Sequence, residues 1–152
     1  MRTLAIDPGN IESAYVVMDG YKPVDFGKIS NGELINLIRQ QYFNTIDRCV
    51  IEMIASYGMP VGAEVFETCV YIGRLMESLL CVENIDAVKM YRKDVKLNLC
   101  QSPRAKDGNV VQALKDRFGT KGTKKAPGFF HGFKADCWQA FACGVTYNDG
   151  HS

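Results

Sequence analysis

Apolar positions in the first half of the chain fall into short runs, and later into helical stripes. Thr3-Leu-Ala-Ile-Asp7 is an apolar run that ends in an acid and is cut off at once by Pro8 and Gly9. That is the pattern of a strand delivering a carboxylate to a turn. Ser13–Met18 resumes the β pattern, so the two runs predict a hairpin with Asp7 at its mouth. Lys22–Ile29 predicts a third short strand, with Pro23 marking its start or an edge. Ser30-Asn-Gly-Glu33 has the form of a capping box and precedes Leu34, Ile35, Leu37, Ile38 and Tyr42 on one helical stripe. Cys49–Ile54 is almost wholly apolar with one acid, Glu52, inside it, as expected of a central strand covered on both faces.

The second half is mainly helical in pattern. After a loop at Ser56–Pro60, Pro60 opens a segment to about Leu80 with Val61, Val65, Cys69, Ile72, Leu75, Met76 and Leu79 at helical spacing. Asp86–Tyr91 alternates as a fifth strand, and Arg92–Leu99 predicts a short basic helix. Asn109–Phe118 predicts another helix, stopped by Gly119. Residues 119–132, rich in Gly, Lys and Thr, read as a flexible loop, and Lys134 to about Tyr147 as the last helix. Hairpins first and β-α-β units afterwards predict an α/β fold, a mixed five-stranded sheet flanked by helices, in a single domain over residues 1–152.

Composition narrows the class. No apolar run approaches the ~20 residues of a membrane span, and no basic region with a signal-type core opens the chain, so an intracellular, cytoplasmic protein is expected. The six cysteines form no Cys-x-x-Cys pair and most sit inside apolar runs, which favours free buried thiols over zinc or disulfides. The net charge of +1 hides a segregation. Arg104–Lys134 carries eight bases against two acids, while the rest carries ten bases against fifteen acids. Clustered cations gain affinity for a polyanion by releasing its condensed counterions, although a solvated basic loop would look the same.

Three carboxylates disturb otherwise apolar elements: Asp7 at a strand end, Glu52 inside a strand, and Asp136 in the first turn of the last helix. Burying a carboxylate is costly unless a cation or hydrogen bonds compensate. Separate explanations exist: Asp7 as a turn former, Glu52 paired with a buried Arg or Lys, Asp136 as a helix N-terminal acid. A shared partner accounts for all three at once, if strands one and four are neighbours and the last helix crosses them. Hard oxygen ligands without a His/Cys set favour Mg²⁺ or Mn²⁺. A pair of such ions, the established arrangement for phosphodiester hydrolysis, is expected here.

Ile6-Asp-Pro-Gly9, Ser13-Ala-Tyr-Val16, Ile51-Glu52 and Ala135-Asp136 opening an Ala-rich helix resemble, in this order, the RuvC type of Holliday-junction resolvase within the ribonuclease H-like superfamily. Gly73-Arg74 and Ala105-Lys-Asp107 with Val110 extend the resemblance over nearly the full length. The resemblance implies a homodimeric endonuclease that cuts branched DNA symmetrically, with Asp7, Glu52 and Asp136 as metal-binding carboxylates. It also implies 5′-phosphate and 3′-hydroxyl products, and no nucleotide cofactor. One position departs from the pattern: the family places an Asp or His three residues before its last Asp, and here that residue is Phe133. His131 and Lys134 are the nearest polar replacements.

Arg92, Lys93, Lys96, Arg104, Lys106, Lys121, Lys124 and Lys125 are candidates for phosphate contacts, which fix register without reading bases. Lys134 is a candidate for stabilising the transition state, or for pairing with Asp136. Tyr57 and Met59 either insert between bases at a junction opening or cap the following helix's apolar face. A symmetric cutter needs a self-complementary surface, and the long helix, with Val70, Tyr71 and Leu80 beside its main stripe, is the candidate. Three other readings stay open: a ribonuclease H-like nuclease acting on flaps or RNA·DNA hybrids, a lobe of an actin-like ATPase, and a catalytically silent DNA-binding protein.

Overall fold

Alternate residues of β1 (Arg2–Asp7) serve two different cores. In the computed structural model, which describes residues 1–151, Leu4 and Ile6 are fully buried in one apolar cluster and Ala5 in another. β1 is therefore the central strand, covered on both faces. It pairs antiparallel with β2 (Glu12–Asp19), which pairs antiparallel with β3 (Lys22–Ser30). On its other side β1 pairs parallel with β4 (Arg48–Met53), and β4 pairs parallel with β5 (Val88–Tyr91). The sheet is mixed and five-stranded, as the sequence pattern predicts, and its order is β3-β2-β1-β4-β5.

One face is covered by α1 (Asn31–Arg39) and α2 (Ala63–Glu83), through Leu34, Ile35 and Ile38 of the first and Ile72, Leu75 and Leu79 of the second. The Ser30 hydroxyl caps α1, accepting from the Glu33 amide at 3.2 Å. The other face is covered by α3 (Arg92–Cys100), α4 (Asp107–Phe118) and α5 (Cys137–Asp149). α5 lies close on the sheet because Gly144 has no side chain: a Cβ there would stand 2.4 Å from the Met18 sulfur. The C-terminal end of α5 is tied down by Asp149, whose carboxylate accepts from Arg117, Tyr21 and Asn98 at 2.7 to 2.9 Å.

Two predictions from the sequence are corrected here. The segment 119–132 is folded, because its backbone polar groups find partners within it. Gly128 donates to the Lys121 carbonyl at 2.9 Å, Thr123 to that of Ala126 at 3.0 Å, and Phe130 to that of Thr120 at 3.1 Å. These bonds make a small hairpin with Lys124 and Lys125 exposed at its tip. Its turn depends on Gly122, which has φ +69° and no room for a Cβ, the nearest atom being the Ala126 carbonyl oxygen at 2.3 Å. Phe129 and Phe130 anchor the base in a cluster with Phe118, Phe133, Trp138 and Phe141. Tyr71 is also buried, with its hydroxyl donating to the Asn31 carbonyl at 3.0 Å. The outward surface of α2 instead carries Phe66, Val70 and Leu80.

Among the described residues no helix is long and apolar enough to cross a membrane. All six cysteines are free; Cys49, Cys137 and Cys143 are buried, and Cys81 is exposed.

Candidate active site

The parity of two strands brings two acids together. Asp7 follows Ala5 by two residues and Glu52 follows Val50 by two, and both Ala5 and Val50 belong to the cluster under α5. Ile6 pairs with Ile51 across the parallel β1–β4 ladder, so Asp7 and Glu52 stand side by side one residue further on. The charge of Glu52 acts directly on Asp7. Asp136 is the N-cap residue of α5, just outside the helix rather than in its first turn, and its charge also acts on Asp7. Ala135, immediately before it, has φ +43°, a left-handed conformation uncommon for a residue with a side chain.

The turn that aims Asp7 is locked from outside. The Gly9 amide donates to the Ser13 hydroxyl at 3.3 Å, Ser13 donates to Asn31 Oδ1 at 2.7 Å, and Asn31 Nδ2 donates back to the Gly9 carbonyl at 2.9 Å. Asn31 is a positioning residue that sequence reasoning missed. Its only signal there was a place inside the capping pattern.

Burial, then the neighbouring Glu52, then Asp136, push the Asp7 carboxyl up from 3.8 to about 8. The other two acids have cations. Arg92 grips both oxygens of Glu52, Nε to Oε1 at 3.1 Å and Nη2 to Oε2 at 3.2 Å, and reaches Asp107 at 3.4 Å. Lys96 lies 3.8 Å from the same Asp107. Lys28 Nζ, on edge strand β3, is 2.8 Å from Asp136 Oδ2. Hydrogen bonding to Asp136, then its charge, hold the Lys28 ammonium above its ordinary value. Sequence reasoning offered Lys134 as a partner for Asp136. Lys134 is exposed and lines a cavity of about 330 Å³ together with Lys28, Phe26 and Cys137, but the cation on Asp136 is Lys28.

The remaining candidates separate into three groups. Tyr57 and Arg92 line two cavities at once: one of about 330 Å³ with Asp7, Glu52 and Met53, and one of about 370 Å³ with Lys93, Lys96 and Arg104. Acids and bases thus line two cavities that share Tyr57 and Arg92. Tyr57 and Met59 are 63% and 70% exposed, so neither caps the apolar face of α2. Lys106 precedes α4, where its amide donates to Asn109 at 2.9 Å, and Lys121, Lys124 and Lys125 sit on the hairpin. His131 is exposed on a turn, its amide bonded to the Gly128 carbonyl at 3.1 Å. Phe133 is fully buried, its ring 4.6 Å from that of Phe26 and 5.2 Å from Trp138. The position where the resemblance calls for another ligand is thus core.

Comparison with solved structures places the architecture. The chain superposes on Thermus thermophilus RuvC with a TM-score of 0.74 at 14% identity, over 99% of this chain and 96% of that one. It matches T. thermophilus RuvC in complex with a Holliday junction substrate with the same TM-score at 13% identity, over 99% and 95% of the two chains. The fold is RuvC-type. No family model and no curated protein sequence matches the chain.

The donor set suits a hard divalent cation: three carboxylates on a RuvC-type frame, with no histidine or cysteine among them. Asp7 fits such a site because its buried carboxyl, with Glu52 beside it, keeps its proton near neutral pH where no cation is at hand. Asp136 fits less simply, since one of its oxygens is committed to Lys28. Among the described residues, no three His, Cys, Asp or Glu side chains are gathered closely enough to hold an ion as they stand.

Proposed function

We propose that the protein is a structure-selective endodeoxyribonuclease that resolves four-way or other branched DNA by divalent-metal-dependent phosphodiester hydrolysis. The observation that carries this reading is the pair of cavities that share Tyr57 and Arg92, one lined by Asp7 and Glu52 and the other by Lys93, Lys96 and Arg104. Acids suited to a metal lie beside cations suited to a phosphate backbone. The RuvC-type fold supports the same class of substrate.

In this reading Asp7, Glu52 and Asp136 would be the residues to hold Mg²⁺ or Mn²⁺, whose chemistry would be the lowering of a water's pKa and the supply of positive charge beside the phosphate. The chain's own residues position the reaction. The Ser13–Asn31 lock fixes the turn behind Asp7. Arg92 orients Glu52 through both carboxylate oxygens. Lys93, Lys96 and Arg104 bind the backbone of the strand to be cut, and Lys124 and Lys125 reach a second segment. Tyr57, projecting between the two cavities, stacks on a base opened at the branch point. Symmetric cutting requires a homodimer, for which the exposed Phe66, Val70 and Leu80 of α2 are the proposed contact.

The competing reading is a catalytically silent DNA-binding protein, favoured by the compensation of Glu52 and Asp136 by Arg92 and Lys28 without an ion. The deciding experiment offers end-labelled four-way junctions, flaps and RNA·DNA hybrids to the protein in Mg²⁺. Paired symmetric nicks in the junction support resolution, nicks confined to flaps or hybrids assign another ribonuclease H-like activity, and binding without nicks supports the silent reading.

A further inference from the structure

A row of side chains crosses the sheet at the mouth of the first hairpin. Asp7 pairs with Ala14 and Ala14 with Lys28, so Lys28 stands in register with Asp7 two strands away, about 10 Å across the sheet. Directly paired residues share a face, and here it is the one α5 covers, since Ala14 belongs to the cluster beneath that helix. On the opposite side of β1, also two strands away, β5 ends at Tyr91 and α3 begins with Arg92. Bases therefore flank the carboxylates on both sides. The Lys28 side has its own cavity of about 330 Å³, lined by Phe26, Lys28, Gly132, Lys134, Ala135 and Cys137. Two ammonium groups face into it, and no carboxylate is among the residues that line it. Asp136 takes one N–H of Lys28 at 2.8 Å, which leaves two of that ammonium's three donors. The frame that presents the lysines is packed. Gly132 has φ +86°, and a Cβ there would stand 3.2 Å from the Phe26 ring, which itself rests on Phe133 at 4.6 Å.

We propose that this cavity is a backbone subsite for the strand to be cut, taking a phosphodiester that neighbours the scissile one between the Lys28 and Lys134 ammoniums, with its sugar against the Phe26 ring. The inference rests on the nuclease reading and deepens it by giving the strand a second point of attachment. Lys93, Lys96 and Arg104 hold the strand on one side of Asp7 and Glu52, and Lys28 and Lys134 hold it on the other. The strand then crosses the carboxylates in a fixed register. Ammonium groups on backbone oxygens set that register and read no bases. Lys28 suits the role because it lies on an edge strand and is 39% exposed, so a phosphate can reach it without disturbing the sheet. Lys134 is exposed on the turn opposite.

Fluorescence anisotropy of the full chain with a labelled four-way junction over a salt series, in EDTA so that cutting plays no part, tests the subsite. Replacing Lys28 and Lys134 together by Ala should lower the slope of log affinity against log salt by about one unit, because the two ammoniums share one phosphate. Lys134→Ala alone, at an exposed turn position, should lower it by part of that unit with the fold kept. A single uncharged methylphosphonate, moved position by position along the strand through the branch point, should reach one place where the unmodified chain loses affinity and the double variant loses none. An unchanged slope in the double variant, a fall of about two units, or equal methylphosphonate effects on both proteins at every position would overturn the inference. The nuclease reading would survive any of these, provided that the unmodified chain nicks the junction in Mg²⁺. Binding without nicks would remove that reading and the inference with it.

Discussion

Asp7 and Glu52 end adjacent parallel strands one residue beyond the Ile6–Ile51 pair, so their carboxyls are forced together on the face that α5 covers. Burial first, and then the like charge of Glu52, keep the proton on Asp7 to about pH 8. Its folded value lies above its unfolded value of 3.8, so the stability associated with that proton is complete below about pH 4 and is lost as pH rises through 8. Metal-free protein should therefore lose stability across this window. Asp7→Asn should flatten that loss, as read by urea unfolding at several pH values. An identical slope in the variant would mean that Asp7 is not the group that titrates.

Phe133 is buried among Phe26, Phe130, Trp138 and Phe141, so it acts through packing. Phe133→Ala should cost about 3–5 kcal/mol, and Phe133→Asp should cost at least as much, because a carboxylate there would have no charge partner. Chemical denaturation measures both. A folded Phe133→Asp variant that bound Mn²⁺ more tightly than the unmodified chain would show that the position can turn toward the site after all.

Hairpin residues Lys124 and Lys125 are exposed on a turn that needs Gly122. Replacing both lysines by Ala should weaken junction binding and reduce the slope of log affinity against log salt by about one unit for each phosphate that is no longer neutralised. Fluorescence anisotropy over a salt series gives the slope. Gly122→Ala should weaken binding as well, with both lysines intact, because the turn would have to open.

The surface of α2 bearing Phe66 and Val70 is apolar and exposed. Glu at both positions should leave the fold intact, since neither side chain packs in the core, and should yield a monomer that no longer makes paired nicks. Sedimentation velocity reads the first effect and junction cleavage the second. Monomeric behaviour of the unmodified chain at all concentrations would move the dimer contact elsewhere or remove it.

Legibility of the sequence followed the strength of the local pattern. All five strands could be read because turn residues bound each run, and Asp7 and Glu52 stood out because each breaks an apolar strand. The placement of Asp136 was legible to within a turn: the helix begins at Cys137 rather than Lys134 because Ala135 adopts a left-handed conformation. Lys28 was invisible, being one more alternating cation on an edge strand whose partner lies 108 positions away. A buried cation opposite Glu52 was one of the open alternatives, but nothing local named Arg92. Residues 119–132 looked like a flexible loop because polar and glycine-rich composition cannot reveal the cross-turn backbone bonds that order it. Tyr71 could not be told from the exposed apolar residues of α2, since helical spacing places it beside both faces.

The most direct test is Asp7→Asn, with junction binding and cutting measured in parallel in Mg²⁺. Unmodified protein should nick a four-way junction at paired positions, and the variant should bind it with nearly the same affinity and leave it whole. Cutting by the variant at the normal rate would contradict the account, as would binding by the unmodified protein with no nicks in either Mg²⁺ or Mn²⁺.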